Sequence, residues 1–314
     1  MTAQPSELEL VVPTAAATQA TVDEFGLPSR SLARQAMRRY SRSYLTMTAT
    51  IVFFVVIVFS YVYPYFYRWK YNVGDLGALS VAPGKQGHLL GTDETGFDLV
   101  ARMMRGTQRD FIMMVVSTSI ALFLGLAVGS VAGYFGRLWD NVLMRVVDVM
   151  LTVPSLVILI IACDKFAIAN TAPGIGVIFG LFGWMPLSRL VRAQLLSLKE
   201  REFVEAAHAM GASNLRIITR HLIPNALSTV LVFATLFAAT SIVAETSVTY
   251  LGYGVKPPDT SLGLLISRGV DAADTRPWLF YYPGILVLVI VLAVNLIGEG
   301  IRNSFDPRHN RVRD

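Results

Sequence analysis

The sequence is poor in the residues that cross-link, ligate metals or keep a protein in water. It has one cysteine, Cys163, which excludes an intramolecular disulfide and a zinc site built from several thiolates. Cys163 closes an apolar run, so a packed or lipid-facing thiol is expected there. Histidine is also scarce, with four in 314 residues. Charged residues are only 16% of the chain against 54% hydrophobic, and the mean hydropathy is +0.52. That balance argues against a water-soluble globule. No Gly-x-x-x-x-Gly-Lys-Ser/Thr phosphate loop occurs, so this polypeptide is not expected to hydrolyse ATP itself. A secretory signal peptide is not expected either, because the first hydrophobic run begins late and lacks a small-residue cleavage site.

What the chain does have is a series of six hydrophobic segments: Thr46–Phe66, Phe111–Phe135, Val146–Cys163, Gly174–Ser188, Ala226–Ala244 and Tyr282–Ile301. About 20 apolar residues span a bilayer. The first, second, fifth and sixth meet that length. The third and fourth are shorter and contain Asp148, Pro154 and Pro186, so they need neighbours or partial depth to satisfy their polar groups. No strand pattern competes, and the fold expected is all-α with six transmembrane helices. The segments divide the chain into a tail with a basic interfacial helix (1–45), a first span (46–66), an external loop (67–110), a membrane core (111–301) containing a polar loop (202–225), and a C-terminal tail (302–314).

The net charge of +5 and pI of 9.4 could point to nucleic acid, but the basic residues are distributed as a membrane protein's are. With the N-terminus in the cytoplasm, that side receives Arg30, Arg34, Arg38, Arg39 and Arg42 and also Arg137, Arg145, Arg189, Arg192, Lys199, Arg201, Arg216 and Arg220. It receives Arg302, Arg308, Arg311 and Arg313 as well. An even number of spans places both termini inside. Nucleic acid is not an expected partner; membrane lipid is.

The polar loop EFVEAAHAMGASNLRIITRHLIPN interrupts this apolar chain from Glu202 to Asn225. Helical spacing puts Phe203, Ala206, Ala207 and Met210 on one face, with Glu202, Glu205 and His208 on the other. Gly211 permits the tight turn that ends this helix. Ser213 can cap a second helix, in which Leu215, Ile218 and Leu222 repeat while Arg216 and Arg220 point away. Pro224 is expected to close the unit structurally. By periodicity alone the loop reads equally as an amphipathic element resting on lipid.

Glu205-Ala206-Ala207, Gly211 and His221-Leu222-Ile223-Pro224, with three and nine residues between them, resemble the EAA loop of ABC importer permeases. His221 and Ile223 stand where isoleucine and leucine are general. The RHLIPN ending resembles the dipeptide and oligopeptide branch. Three further stretches support the likeness. His88-Leu-Leu-Gly-Thr-Asp-Glu-Thr-Gly-Phe97-Asp98 resembles the HxLGTDxxGRD signature of C-type peptide-permease subunits, with Phe97 in place of arginine. Arg145, Asp148 and Pro154 resemble an RxxD…P stretch. Glu245 to Gly263 resembles ESSLSFLGLGVQPPxPSWG, with Leu262 in place of tryptophan.

The resemblance implies a C-type permease subunit of a dipeptide/oligopeptide importer with the type I importer fold, in the bacterial cytoplasmic membrane. It implies a homologous B-type permease subunit, two ATPase subunits that bind ATP and Mg, and an extracytoplasmic peptide-binding protein as partners. No catalytic residue, cofactor or metal is expected on this chain. The loop, with Phe203, Glu205, Ala206, Ala207, Met210, Gly211 and Arg216, would dock in a groove on the ATPase.

Other polar residues have readings of their own. His88, Asp93, Glu94 and Asp98 read better as a turn network than as a metal or acid–base cluster. Gly125, Gly129 and Gly133 recur every four residues, a spacing that lets helices approach closely. Asp148 is a functional candidate by depth, yet Arg145 one turn earlier offers a structural partner, and the structural role is preferred. Thr240 and Ser241 lie on a span rich in small and hydroxyl residues that can pack or line a wet passage. Glu245, at the outer end of that span, is expected to be solvated at the interface, with contact to solute or to a partner's basic residue as the alternative. An intramembrane enzyme is the alternative class to transport. It needs a nucleophile with a base, or metal ligands, at membrane depth, and His88, His208, His221 and His309 all fall in expected loops. An importer of nickel or another small solute would share the same architecture.

Overall fold

A computed structural model describes residues 32–166, 168 and 171–305. The expected tail with Arg30, and Arg308, His309, Arg311 and Arg313, lie outside the described residues. The architecture is all-α. Two isolated bridges, Lys85 with His88 and Thr92 with Asp98, are the only β pairing among the described residues.

The basic segment forms α1 (Leu32–Arg42), which packs against the last helix of the chain. Ser43 then accepts the Thr46 amide and starts α2 (Tyr44–Tyr61). The next helix, α3 (Leu99–Phe135), begins well before the apolar run at Phe111. Asp98 caps it, accepting the Ala101 amide at 2.8 Å. Its 37 residues make a rod about 55 Å long against a hydrocarbon core of about 30 Å. The polar first turns, with Arg102, Arg105 and Arg109, therefore project from the membrane.

The third and fourth hydrophobic segments are broken rather than short. α4 (Arg137–Thr152) and α5 (Ser155–Lys165) meet at 84°, with Pro154 at the break; α6 (Ala172–Gly183) and α7 (Met185–Leu198) meet at 45°, with Pro186 in the first turn of α7. The polar loop holds α8 (Glu202–Ala209) and α9 (Asn214–Ile217), followed by α10 (Ile223–Tyr250), α11 (Leu262–Val270) and α12 (Trp278–Phe305). Among the described residues four helices are long and apolar enough to cross a membrane, or up to six spans if each bent pair counts as one.

α3 is the axis of the bundle. α7 lies along the glycine stripe: a Cβ on Gly125 would meet Leu187 at 2.7 Å, one on Gly129 the Ser188 carbonyl at 2.6 Å, and one on Gly133 the Arg192 carbonyl at 3.0 Å. α6 approaches the same rod through its own glycines, Gly176 toward the Met113 carbonyl and Gly180 toward Ile120. Two ion pairs, Arg189 with Asp148 and Arg192 with Asp140, tie α4 to α7. Asp148 thus pairs across helices and not with Arg145, which faces outward. Its partner stands 41 positions away, beyond the reach of local spacing.

Candidate functional site

The polar loop folds into a two-helix knob with one face sunk into the bundle. Val204 and Ala207 from α8 are each 1% exposed, and Ile217, Leu222 and Ala226 are fully enclosed. They pack with Leu187, Val191 and Leu195 of α7. Gly211 turns the chain at φ +77°, with nothing near its Cα to obstruct a side chain, so the glycine is required by backbone conformation alone. Ser213 caps α9 by accepting the Arg216 amide. Tyr134, near the end of α3, donates to Asn214 Oδ1 at 2.8 Å and stacks on His208 with ring planes 12° apart. The knob is therefore fastened to both α3 and α7.

The structure divides the apolar set read from the sequence. Phe203, Ala206 and Met210 face outward, Met210 with 80% of its surface exposed, while Ala207 turns inward. Leu215 is also outward and 71% exposed, so it does not share the face of Ile218 and Leu222; Ile217 takes the inward place instead. Glu202, Glu205, Arg216 and Arg220 are exposed beside this apolar patch. Pro224 does not close the unit. Residues Ile218–Leu222 form a π-helical turn that runs into α10, with Pro224 in its first turn, so a continuous helical path leads from Asn214 to Tyr250.

Toward the C-terminal end of α10, Glu245 is 1% exposed, which corrects the expectation of interfacial solvation. Its Oε1 accepts from Thr249 Oγ1 at 2.8 Å, and the Ser261 side chain lies beside the carboxylate. The cause is α11, which folds over it: a Cβ on Gly263 would stand 3.0 Å from Oε2. Asp110 of α3 is equally buried beneath the start of α11 and accepts the Leu262 amide at 3.3 Å. Sequence reading missed Asp110. On the same span Ser241 is buried and donates to the Ala238 carbonyl, whereas Thr240 is exposed.

The segment between α2 and α3 is held by a polar network. His88, fully buried, meets Asp98 at 2.8 Å through Nδ1 and stacks on Trp69, and Tyr67 donates to the same carboxylate at 3.1 Å. Burial and the Asp98 charge push the Tyr67 hydroxyl well above the usual phenol range. Asp259 receives both Arg105 (3.1 Å) and Arg109 (2.5 Å). Burial alone would raise its carboxyl, but the hydrogen bond from Arg109 and the charge of Arg105 outweigh this and hold it below the ordinary value. Among the described residues no three His, Cys, Asp or Glu side chains are grouped to hold a metal.

Comparison with known proteins places these features. Residues 125–311 match the family described as the binding-protein-dependent transport system inner membrane component. The oligopeptide transport system permease protein OppC of Mycobacterium tuberculosis is 36% identical over 277 residues, covering 88% of this chain and 95% of the relative. The OppC proteins of Bacillus subtilis and Haemophilus influenzae are 31% and 33% identical over 94% and 91% of this chain, and 95% and 92% of their own lengths. Among solved structures, an inward-facing MetNI methionine ABC transporter chain superposes with a TM-score of 0.52 at 20% identity, over 65% of this chain and 96% of that one; this likeness concerns the fold. The chain belongs to the binding-protein-dependent transport system inner membrane components, the multi-pass, non-catalytic permease subunits of ABC importers.

Proposed function

We propose that this chain forms one half of the translocation pathway of a peptide importer in the bacterial cytoplasmic membrane. Its relatives are oligopeptide permeases, which supports peptide as the cargo. A homologous B-type permease completes the pathway, two ATPase subunits bind ATP and Mg below it, and an extracytoplasmic peptide-binding protein delivers from above. Both termini lie in the cytoplasm, a placement supported by the arginines of α1 and the knob and by a span count that is even whether four or six.

The observation that carries this reading is the two-faced knob. Phe203, Ala206, Met210 and Leu215 offer an outward apolar patch flanked by Glu205 and Arg216, while Val204, Ala207 and Ile217 lock the knob into its own bundle. In this reading the outward patch fills the ATPase groove. When ATP draws the ATPases together the knob follows, α7 moves with it through Leu187, Val191 and Leu195, and α10 moves through the π turn. Only contacts that differ between two states can shift their populations. The pathway polar groups Thr240 and Ser241, and the covered carboxyl of Glu245, lie where such a motion of α10 reaches the outer face.

The test uses the assembled complex in nanodiscs. Gly211→Val forces a β-branched residue to φ +77°, and Glu205→Lys reverses charge on the docking side. Both variants are expected to insert and assemble while losing substrate-stimulated ATPase. Stimulation at the wild-type level in both would refute the coupling role.

A further inference from the structure

On the outer face, the first turn of α3, residues 93–97, α11 and the start of α12 enclose a hollow of about 50 Å³. Arg102 is one of its walls. This side chain is only 4% exposed, its Nε has no hydrogen-bond partner, and its guanidinium lies 4.0 Å from the Phe97 ring centre. A buried guanidinium nitrogen without an acceptor leaves a strong donor unused. Arg268 lines the same hollow, and no carboxylate pairs with it among the described residues. Arg276 is a third wall, donating to Ser80 Oγ at 2.7 Å.

Two carboxylates, Asp93 and Glu94, stand against these three arginines in the walls, and the Asp93 charge acts on Arg102. Asp93 Oδ1 already accepts the Thr95 amide at 2.9 Å, the Thr95 hydroxyl at 2.7 Å and the Phe97 amide at 3.0 Å. Glu94 is directed outward with 76% of its side chain exposed, and reaches only Arg276, at 3.9 Å. The hollow thus holds more positive charge than its own walls answer. The hollow has room for a carboxylate head group, which accepts two parallel hydrogen bonds from a guanidinium.

We propose that this hollow is a carboxylate-binding subsite, filled by an aspartate or glutamate side chain of the protein that docks on the outer face to deliver cargo. It is walled by segments outside the membrane, and its size admits the tip of a side chain from a body too large to enter. The inference rests on the importer reading above and adds to it the residues that receive the delivering protein.

The experiment measures binding of the co-purified binding protein to the nanodisc-held complex, for wild type, Arg102→Met and Arg268→Gln. Methionine keeps an apolar stem against Phe97, and Arg268 is exposed, so its loss leaves the fold intact. Each variant is expected to weaken binding roughly tenfold, the effect of removing one partner from a close charge pair. Neutralising the binding protein's surface carboxylates singly should then yield one whose loss weakens wild type but not Arg102→Met further. Wild-type affinity in both variants would overturn the inference while leaving ATPase coupling, and the importer reading, intact. A complex that recruits neither ATPase nor binding protein would overturn both. If binding is unchanged but KM rises only for peptides with a free C-terminus and not for amidated ones, the carboxylate comes from cargo, and the assignment to the delivering protein falls.

Discussion

Replacing Gly129 with alanine adds one methyl group at the tightest point between α3 and α7. Its Cβ would stand 2.6 Å from the Ser188 carbonyl oxygen and 2.7 Å from Val191 Cβ, whereas ordinary contact begins near 3.4 Å. The carbonyl belongs to a helix backbone and Val191 is fully buried, so neither can swing aside. The helices must part by most of an ångström along a stripe that Gly125 and Gly133 continue. Overpacking of this kind costs about 1–3 kcal/mol, which lowers the folded-to-unfolded ratio roughly 5–150-fold. Gly125→Ala is expected to act alike, because its Cβ meets Leu187 Cγ at 2.7 Å and Cβ at 2.8 Å and Leu187 is fully buried. Thermal melts followed by size-exclusion chromatography of detergent-solubilised protein should place both variants below wild type. A Gly129→Ala midpoint equal to wild type would refute the close-approach argument.

Three further outcomes are expected. Ala207→Asp should unfold the knob, because it buries a charge among Leu195, Val204 and Ile217, whereas Ala206→Asp should leave the knob folded and impair ATPase recruitment; protease sensitivity of the loop and pull-down of the ATPase separate the two. Asp259→Asn should destabilise the external region at neutral pH by freeing Arg105 and Arg109. Since the folded carboxyl lies below its unfolded value of about 3.9, its contribution is complete above that pH and fades as pH falls through the folded value, so the gap between variant and wild type should close below about pH 4 in denaturation measurements. Cys163 is 6% exposed, and a maleimide should label it in denatured but not in native protein; rapid native labelling would contradict the packing of α5.

Local chemistry was legible in the sequence, and choices made between helices were not. Gly211 and Ser213 announce a turn and a cap, and both perform those roles because each needs only its chain neighbours. Ala206 and Ala207 are consecutive small residues, so periodicity allows either one to face inward. The position of α7 decides for Ala207. Asp148 illustrates the same limit, since Arg145 is near in sequence but Arg189 is near in space. The α3 rod was read from Phe111 because hydropathy records only the part in lipid; the polar turns before it continue the helix outside. Glu245 looked solvent-bound because nothing in its own span signals that α11 will fold across it, and Asp110 shares that cover.

The uninterrupted α3 has a thermodynamic consequence. Arg102 near one end and Tyr134 near the other are joined by about 48 Å of helix with no proline or π bulge to absorb a tilt. Two ligands that bias one rigid body must report each other's presence with the same free energy, whichever binds first. If an ATPase bound at the knob changes the affinity of an occupant at the Arg102 hollow by some factor, that occupant must change the affinity for the ATPase by the identical factor. The affinity of either ligand, measured with and without the other, then gives the strength of the connection.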